Sequence, residues 1–154
     1  PARLAFRGRL LPNPSSTQAD HTRRAGQRKI TMEHTYMTSI NRIESNARLS
    51  RAVVHNGVVY LAGITATDCT QNIRGQTREV LAKIDERLSQ AGSDKDHILS
   101  AQIWLANIVQ DFDPMNDEWS KWLGSAGSPA RATCQVAFDE PSLLIEVIIT
   151  AATR

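Results

Sequence analysis

Two cysteines, Cys69 and Cys134, are all that the 154-residue chain contains. That is too few for a disulfide scaffold and fits a reducing compartment, so a cytoplasmic location is expected. Aromatic residues make up only 5%, and no apolar run approaches the roughly 20 residues that a membrane-spanning helix needs. The apolar h-region of a secretory signal is missing as well. Four histidines, His21, His34, His55 and His97, form no ligand pair with one another or with a cysteine, which argues against a metal site. There is no P-loop and no G-x-G-x-x-G; the eight glycines are scattered as turn residues. No nucleophile elbow frames a serine, so a hydrolase triad is unsupported.

With 41% hydrophobic and 22% charged residues, the chain has the balance of one soluble globular domain. Its charge is unevenly placed. Residues 1–36 hold seven of the 18 basic residues and two of the 16 acidic ones. That segment is therefore +5, and residues 37–154 are −3. The formal net charge of +2 thus belongs to the leading segment, and nucleic acid is not expected as a partner of the domain. The segment reads as a disordered, basic leader or extension, with turn-rich Pro12, Asn13 and Pro14 and no helix or strand period. Its Arg-rich, acid-poor composition also suits an organellar transit peptide, and import is the alternative location.

From residue 37 the patterning is regular. Residues 40–44 alternate as a short strand. Residues 52–55 and 58–62 are β-branched runs separated by Asn56-Gly57, the pair a type I′ hairpin turn requires. Ile73, Thr77, Val80, Leu81, Ile84, Leu88 and Ala91 recur at helical spacing, predicting a helix over 70–90 that stops at Gly92. Residues 98–108 read as a buried strand. A second helix is expected from Asp111 or Asp113, with Pro114 early in its first turn, a stripe of Phe112, Met115, Trp119, Trp122 and Leu123, and an end at Gly124. Residues 130–137 and 143–151 complete the order β-β-β-α-β-α-β-β. Helices between strands require crossovers, so an α+β subunit follows, with a six-stranded mixed sheet and two helices on one face. Ala101, Ile103, Leu105, Ile145, Val147 and Ile149 are expected on the uncovered face, where another subunit would cover them.

Two charges interrupt the last strands. Glu146 lies within Leu143-Leu144-Ile145-Glu146-Val147-Ile148-Ile149, where an unpaired carboxylate is costly to bury. Arg131 shares one strand face with Thr133 and Gln135. A short turn suggests that the two strands are antiparallel neighbours. The charges then form either a salt bridge or a small-anion site, in which Arg131 takes a carboxylate bidentately while Glu146 orients or deprotonates a water. Cys134 reads as a core thiol.

Asn56-Gly57, Ala62-Gly63, Gln76, Ala91-Gly92, Asp111-Phe112, Asn116, Pro129-Ala130-Arg131 and Ile145-Glu146 occur in the order and spacing that resemble the RidA/YjgF/YER057c/UK114 (Rid) family, over about residues 37–152. The resemblance implies a chorismate-mutase-like subunit in a homotrimer with ligand clefts between subunits. It also implies hydrolysis of reactive enamines and imines, such as 2-aminoacrylate, to 2-oxo acids and ammonia without a cofactor. Arg131 matches the arginine that holds the substrate carboxylate, and Glu146 the glutamate that positions the attacking water. Gly63 and Thr133 match cleft positions whose backbone faces the ligand.

The side chains at three positions depart from the active deaminases. Leu49 stands where they carry a tyrosine, Ala62 where a serine is frequent, and Thr133 where a cysteine is common. Such changes resemble the less characterised branches of the family. They keep a second reading open, a non-catalytic small-carboxylate-binding or stress-related module with the same cleft. Endoribonuclease or translation-inhibitor activity, also associated with the family, fits the −3 domain poorly.

Overall fold

The computed structural model describes residues 39–154; the leader reading of residues 1–36 lies outside them. Strands β1 (Asn41–Ser45), β2 (Ser50–His55) and β3 (Val58–Leu61) form an antiparallel meander. Its second turn is the expected Asn56-Gly57, with φ of 51° and 74°. Only a pair tolerating the left-handed region turns two right-twisted strands this tightly. A two-residue strand, β4 (Ile64–Thr65), continues β3 after a bend at Ala62-Gly63. Asn72 then caps α1 (Ile73–Gln90), its side-chain oxygen accepting the Gly75 N–H at 3.0 Å. This helix begins three residues later than its periodicity suggests. The expected apolar stripe is buried throughout, and Gln76 is buried with it.

Strand β5 (Ile98–Leu105) is shorter than the apolar run 98–108, because α2 (Ile108–Leu123) starts inside that run. Two polar side chains make the start possible. The Asn107 side-chain oxygen accepts the Gln110 N–H at 3.2 Å, and the Gln135 side-chain oxygen accepts the Ile108 N–H at 3.0 Å. Together they satisfy donors that a helix N-terminus leaves open. Pro114 therefore sits within the helix instead of its first turn. Met115, Trp119 and Leu123 are buried, Trp122 partly so, and Phe112 is exposed. Gly124, at φ 57°, ends the helix as expected.

The last two strands, β6 (Ala130–Gln135) and β7 (Ile145–Ala152), are not neighbours. The sheet has seven strands where six were expected, because the bend at Gly63 adds the short β4; the order is β1-β2-β3-β7-β5-β6, with β4 also paired to β7. Strand β6 runs parallel to β5 at the edge, whereas β7 is antiparallel to β3, β4 and β5 in the interior. Residues 136–144 carry the chain past β5. Composition explains the outcome: the nearly continuous apolar run of β7 suits a central strand, and the polar alternation of β6 suits an edge.

Both helices pack on one face. That face carries Ala101, Ile103, Leu105, Ile145, Val147 and Ile149, each at most 2% exposed and clustered with Val80, Ile84, Leu88 and Met115. These six strand residues are thus covered by this chain's own helices, contrary to expectation. Fully burying each large aliphatic side chain contributes about 2 kcal/mol, so the helix–sheet layer supplies the principal core. The opposite face holds Val53, Tyr60, Trp104, Glu146, Ile148 and Thr150, none fully buried.

Candidate active site

Glu146 lies near the start of β7, opposite Trp104 of β5 on one side and Thr65 of β4 on the other. Its side chain projects from the open face and folds back over the bend at Gly63. A Cβ at Gly63 would overlap Glu146 Oε1 and come 2.8 Å from its Cδ. Only glycine allows the carboxylate to rest there. Among the described residues no hydrogen bond or ion pair holds that carboxylate. Partial burial, reinforced by the negative charge of Asp139, pushes its pKa above the ordinary glutamate range.

Arg131 occupies β6 opposite Ala101, which is itself opposite Ile149. Residues in register share a face, so Arg131 lies on the helix-covered side, at the free sheet edge. Its guanidinium stacks 5.5 Å from the centre of the Trp119 ring, a cation–π contact that holds the charge without neutralising it. No acidic side chain pairs with it among the described residues, and desolvation draws its pKa down from the usual arginine value. Trp119, read from sequence only as part of a core stripe, therefore also supports Arg131.

The two charges do not form a salt bridge. They are two strand spacings and three residues apart, about 10 Å in each direction, and on opposite faces. Within one chain they cannot grip the same small molecule. Thr133 is half-buried in β6 on the side of Arg131, whereas Ala62 and Gly63 accompany Glu146. Leu49 is 44% exposed just before β2, in a turn where the Asn46 side-chain oxygen accepts its N–H at 3.0 Å. Cys134 is exposed on the open face rather than in the core, because the helices cover the other side of β6.

A cleft of about 260 Å³ opens beside Gly63, lined also by Ala62, Thr65 and Thr67 and by the cations Arg51, Lys83 and Arg87. Lys83 and Arg87 lie off the apolar stripe of α1. Their four-residue spacing, continuing that of Glu79, was the available signal. Glu79 accepts the Thr67 N–H at 2.7 Å and pairs with Lys83 at 2.7 Å. Those donors lower its pKa to about 2. Lys83 also donates to Thr65 O at 3.0 Å and to Thr67 Oγ1 at 2.7 Å. The segment carrying Gly63 is thereby fastened to α1.

This α+β fold, with two helices on one face of a mixed sheet and uncommitted charges on β6 and β7, has known counterparts. Residues 39–153 match the family model described as Endoribonuclease L-PSP, and the chain belongs to that family, the Rid family of the sequence resemblance. It is 39% identical over 114 residues to a RutC family protein of Haemophilus influenzae, covering 73% of this chain and 97% of that protein. A bovine protein named 2-iminobutanoate/2-iminopropanoate deaminase is 31% identical over 94 residues, 57% of this chain and 67% of its own length. The crystal structure of NMB1025, a YjgF family member from Neisseria meningitidis, superposes with a TM-score of 0.73 at 35% identity, covering 77% of this chain and 98% of that one.

Proposed function

We propose that the protein is a deaminase that hydrolyses 2-imino acids and their enamine tautomers to 2-oxo acids and ammonia, in clefts between the subunits of a homotrimer. The observation that carries this reading is the pair of uncommitted charges, Arg131 and Glu146, placed where one subunit alone cannot bring them together. A neighbouring subunit's β6 edge, presented to the bend at Gly63, would complete a site holding both. The open face, with Val53, Tyr60, Trp104 and Ile148, offers apolar area for such an assembly. The bovine relative's name supports the same activity at lower identity.

In this site the guanidinium of Arg131 takes the substrate carboxylate through two parallel N–H donors. The carboxylate of Glu146, held over Gly63 without a competing donor, binds a water and accepts its proton as the oxygen adds to the imine carbon. The resulting carbinolamine collapses to the 2-oxo acid and expels ammonia, the proton held by Glu146 passing to the departing nitrogen and restoring the carboxylate. A raised pKa suits a general base, because it lies nearer the working pH than an ordinary glutamate. The imine carbon is electrophilic already, so no cofactor enters the scheme.

A binding module without turnover is the second reading. Leu49, Ala62 and Thr133 favour it, since they remove the phenol, hydroxyl and thiol of the active deaminases. The test is to generate 2-iminopropanoate in situ and follow ammonia release. Acceleration that falls about 100-fold or more in Glu146→Gln supports the deaminase; saturable binding of pyruvate with no acceleration selects the module.

A further inference from the structure

The cleft beside Gly63 offers a cation, Arg51, that no carboxylate neutralises among the described residues and that a three-carbon imino acid does not require. Three cations line it, and no acidic side chain does so among the described residues. Each is bound differently. Lys83 is fixed by Glu79 at 2.7 Å and by Thr67 Oγ1 at 2.7 Å, so its ammonium is oriented instead of swinging in solvent. Arg87 pairs with Glu44 at 2.8 Å. Arg51 has no ion-pair partner among the described residues. Its backbone oxygen accepts the Ala62 N–H at 3.0 Å, which anchors it beside the residue preceding Gly63. Arg131 is absent from the lining, so these cations are additional to the arginine expected to take the α-carboxylate.

We propose that this cleft takes a second carboxylate of the ligand, making the preferred substrate a 2-imino dicarboxylic acid of four or five carbons. The inference rests on the deaminase reading of Glu146 and Arg131 and names its substrate class. One carboxylate meets Arg131 of a neighbouring subunit and the imine carbon lies at Glu146 over Gly63. The distal carboxylate enters the cleft toward Arg51, with Lys83 and Arg87 flanking it and the Thr65 and Thr67 segment as its floor. The volume of about 260 Å³ suits a small metabolite better than a drug-sized ligand. A short aliphatic imine would leave the Arg51 guanidinium without a counter-charge. A site built to pair a charged group discriminates against analogues that lack it. The reaction balances as imine plus water giving 2-oxo dicarboxylate plus ammonia: the C=N bond is replaced by C=O, and both water protons leave with nitrogen.

The test compares imines formed in situ by amino acid oxidases from aspartate or glutamate with that formed from alanine. Within each protein the readout is the ratio of kcat/KM for the dicarboxylic imine to that for 2-iminopropanoate. The expected ratio is about ten or more in the parent, falling to near one in Arg51→Gln and in Arg51→Gln/Arg87→Gln. A parent ratio near one, with 2-iminopropanoate hydrolysed, overturns the inference and leaves the deaminase reading intact. Calorimetry with 2-oxoglutarate, pyruvate and inorganic phosphate separates the opposite failure. If no imine is hydrolysed but 2-oxoglutarate binds about tenfold tighter than pyruvate, and Arg51→Gln erases the difference, the anion subsite stands without the enzyme. Phosphate binding without any preference for 2-oxoglutarate contradicts the dicarboxylate assignment.

Discussion

Glu79 and Glu146 flank the same short segment, Gly63 to Thr67, and are treated in opposite ways. Glu79 is supplied with donors from Thr67, Asp68, Gln71 and Lys83, and its pKa falls to about 2. Glu146 receives none among the described residues, is partly desolvated, and its pKa rises. The first carboxylate is a fastener: its charge is fully used in holding a loop to a helix. The second is kept unsatisfied on the open face of the sheet, a costly state unless a ligand, a water or another subunit meets it. A similar contrast separates Arg74, bound to Asp117 at 2.7 Å and Glu118 at 3.3 Å, from Arg131, which has only an indole face.

If the contrast is one between structure and chemistry, mutations should divide accordingly. The largest effects fall on turnover: Arg131→Ala and Glu146→Gln should each lower kcat/KM for 2-iminopropanoate about 100-fold or more. Their circular dichroism should match the parent. Gly63→Ala comes next. The new methyl group would displace the Glu146 carboxylate, so a loss of more than about tenfold is expected, measured with the same ammonia assay.

Smaller effects fall on stability. Glu79→Gln should cost at most about 3 kcal/mol at pH 7 by urea denaturation. Because the folded pKa is depressed, that stabilisation is present above 4.5 and is lost as pH falls through about 2; the gap between parent and variant should close there. Glu146→Gln should behave oppositely. A raised folded pKa means that the ionised group opposes folding above its folded value and makes no difference below its unfolded value. The variant should therefore be more stable than the parent at pH 7 and indistinguishable from it near pH 3, by the same urea denaturation.

Much of this arrangement was legible in the residues. The Asn56-Gly57 turn, the α1 stripe and the stop at Gly124 follow from local rules that tertiary packing did not override. Arg131 and Glu146 stood out because each breaks an apolar or alternating run, although the resemblance was needed to give them roles. The strand pairing was not legible. A short link between β6 and β7 suggested a hairpin, whereas β7 pairs between β3 and β5, where its apolar run is best buried. That one difference places the two charges on opposite faces of the sheet, so the small-anion site expected within one chain becomes, under the proposed function, two halves contributed by different subunits. The start of α2 was hidden for a related reason: Ile108 and Val109 continue an apolar stretch, and one of the side chains that starts the helix, Gln135, is distant in sequence. Lys83 and Arg87 do not stand out in the sequence, because helical periodicity does not reveal that a bent strand lies against their side of α1.

A site shared between subunits makes a prediction that no single substitution can reproduce. Arg131→Ala and Glu146→Gln, each inactive alone, should complement one another when mixed and allowed to exchange subunits. With equal amounts and random assembly, about a quarter of the interfaces regain both native residues, so about a quarter of the parent ammonia-release rate is expected. Mixed oligomers verified by native mass spectrometry that recover no activity would contradict a site built from Arg131 of one subunit and Glu146 of the next.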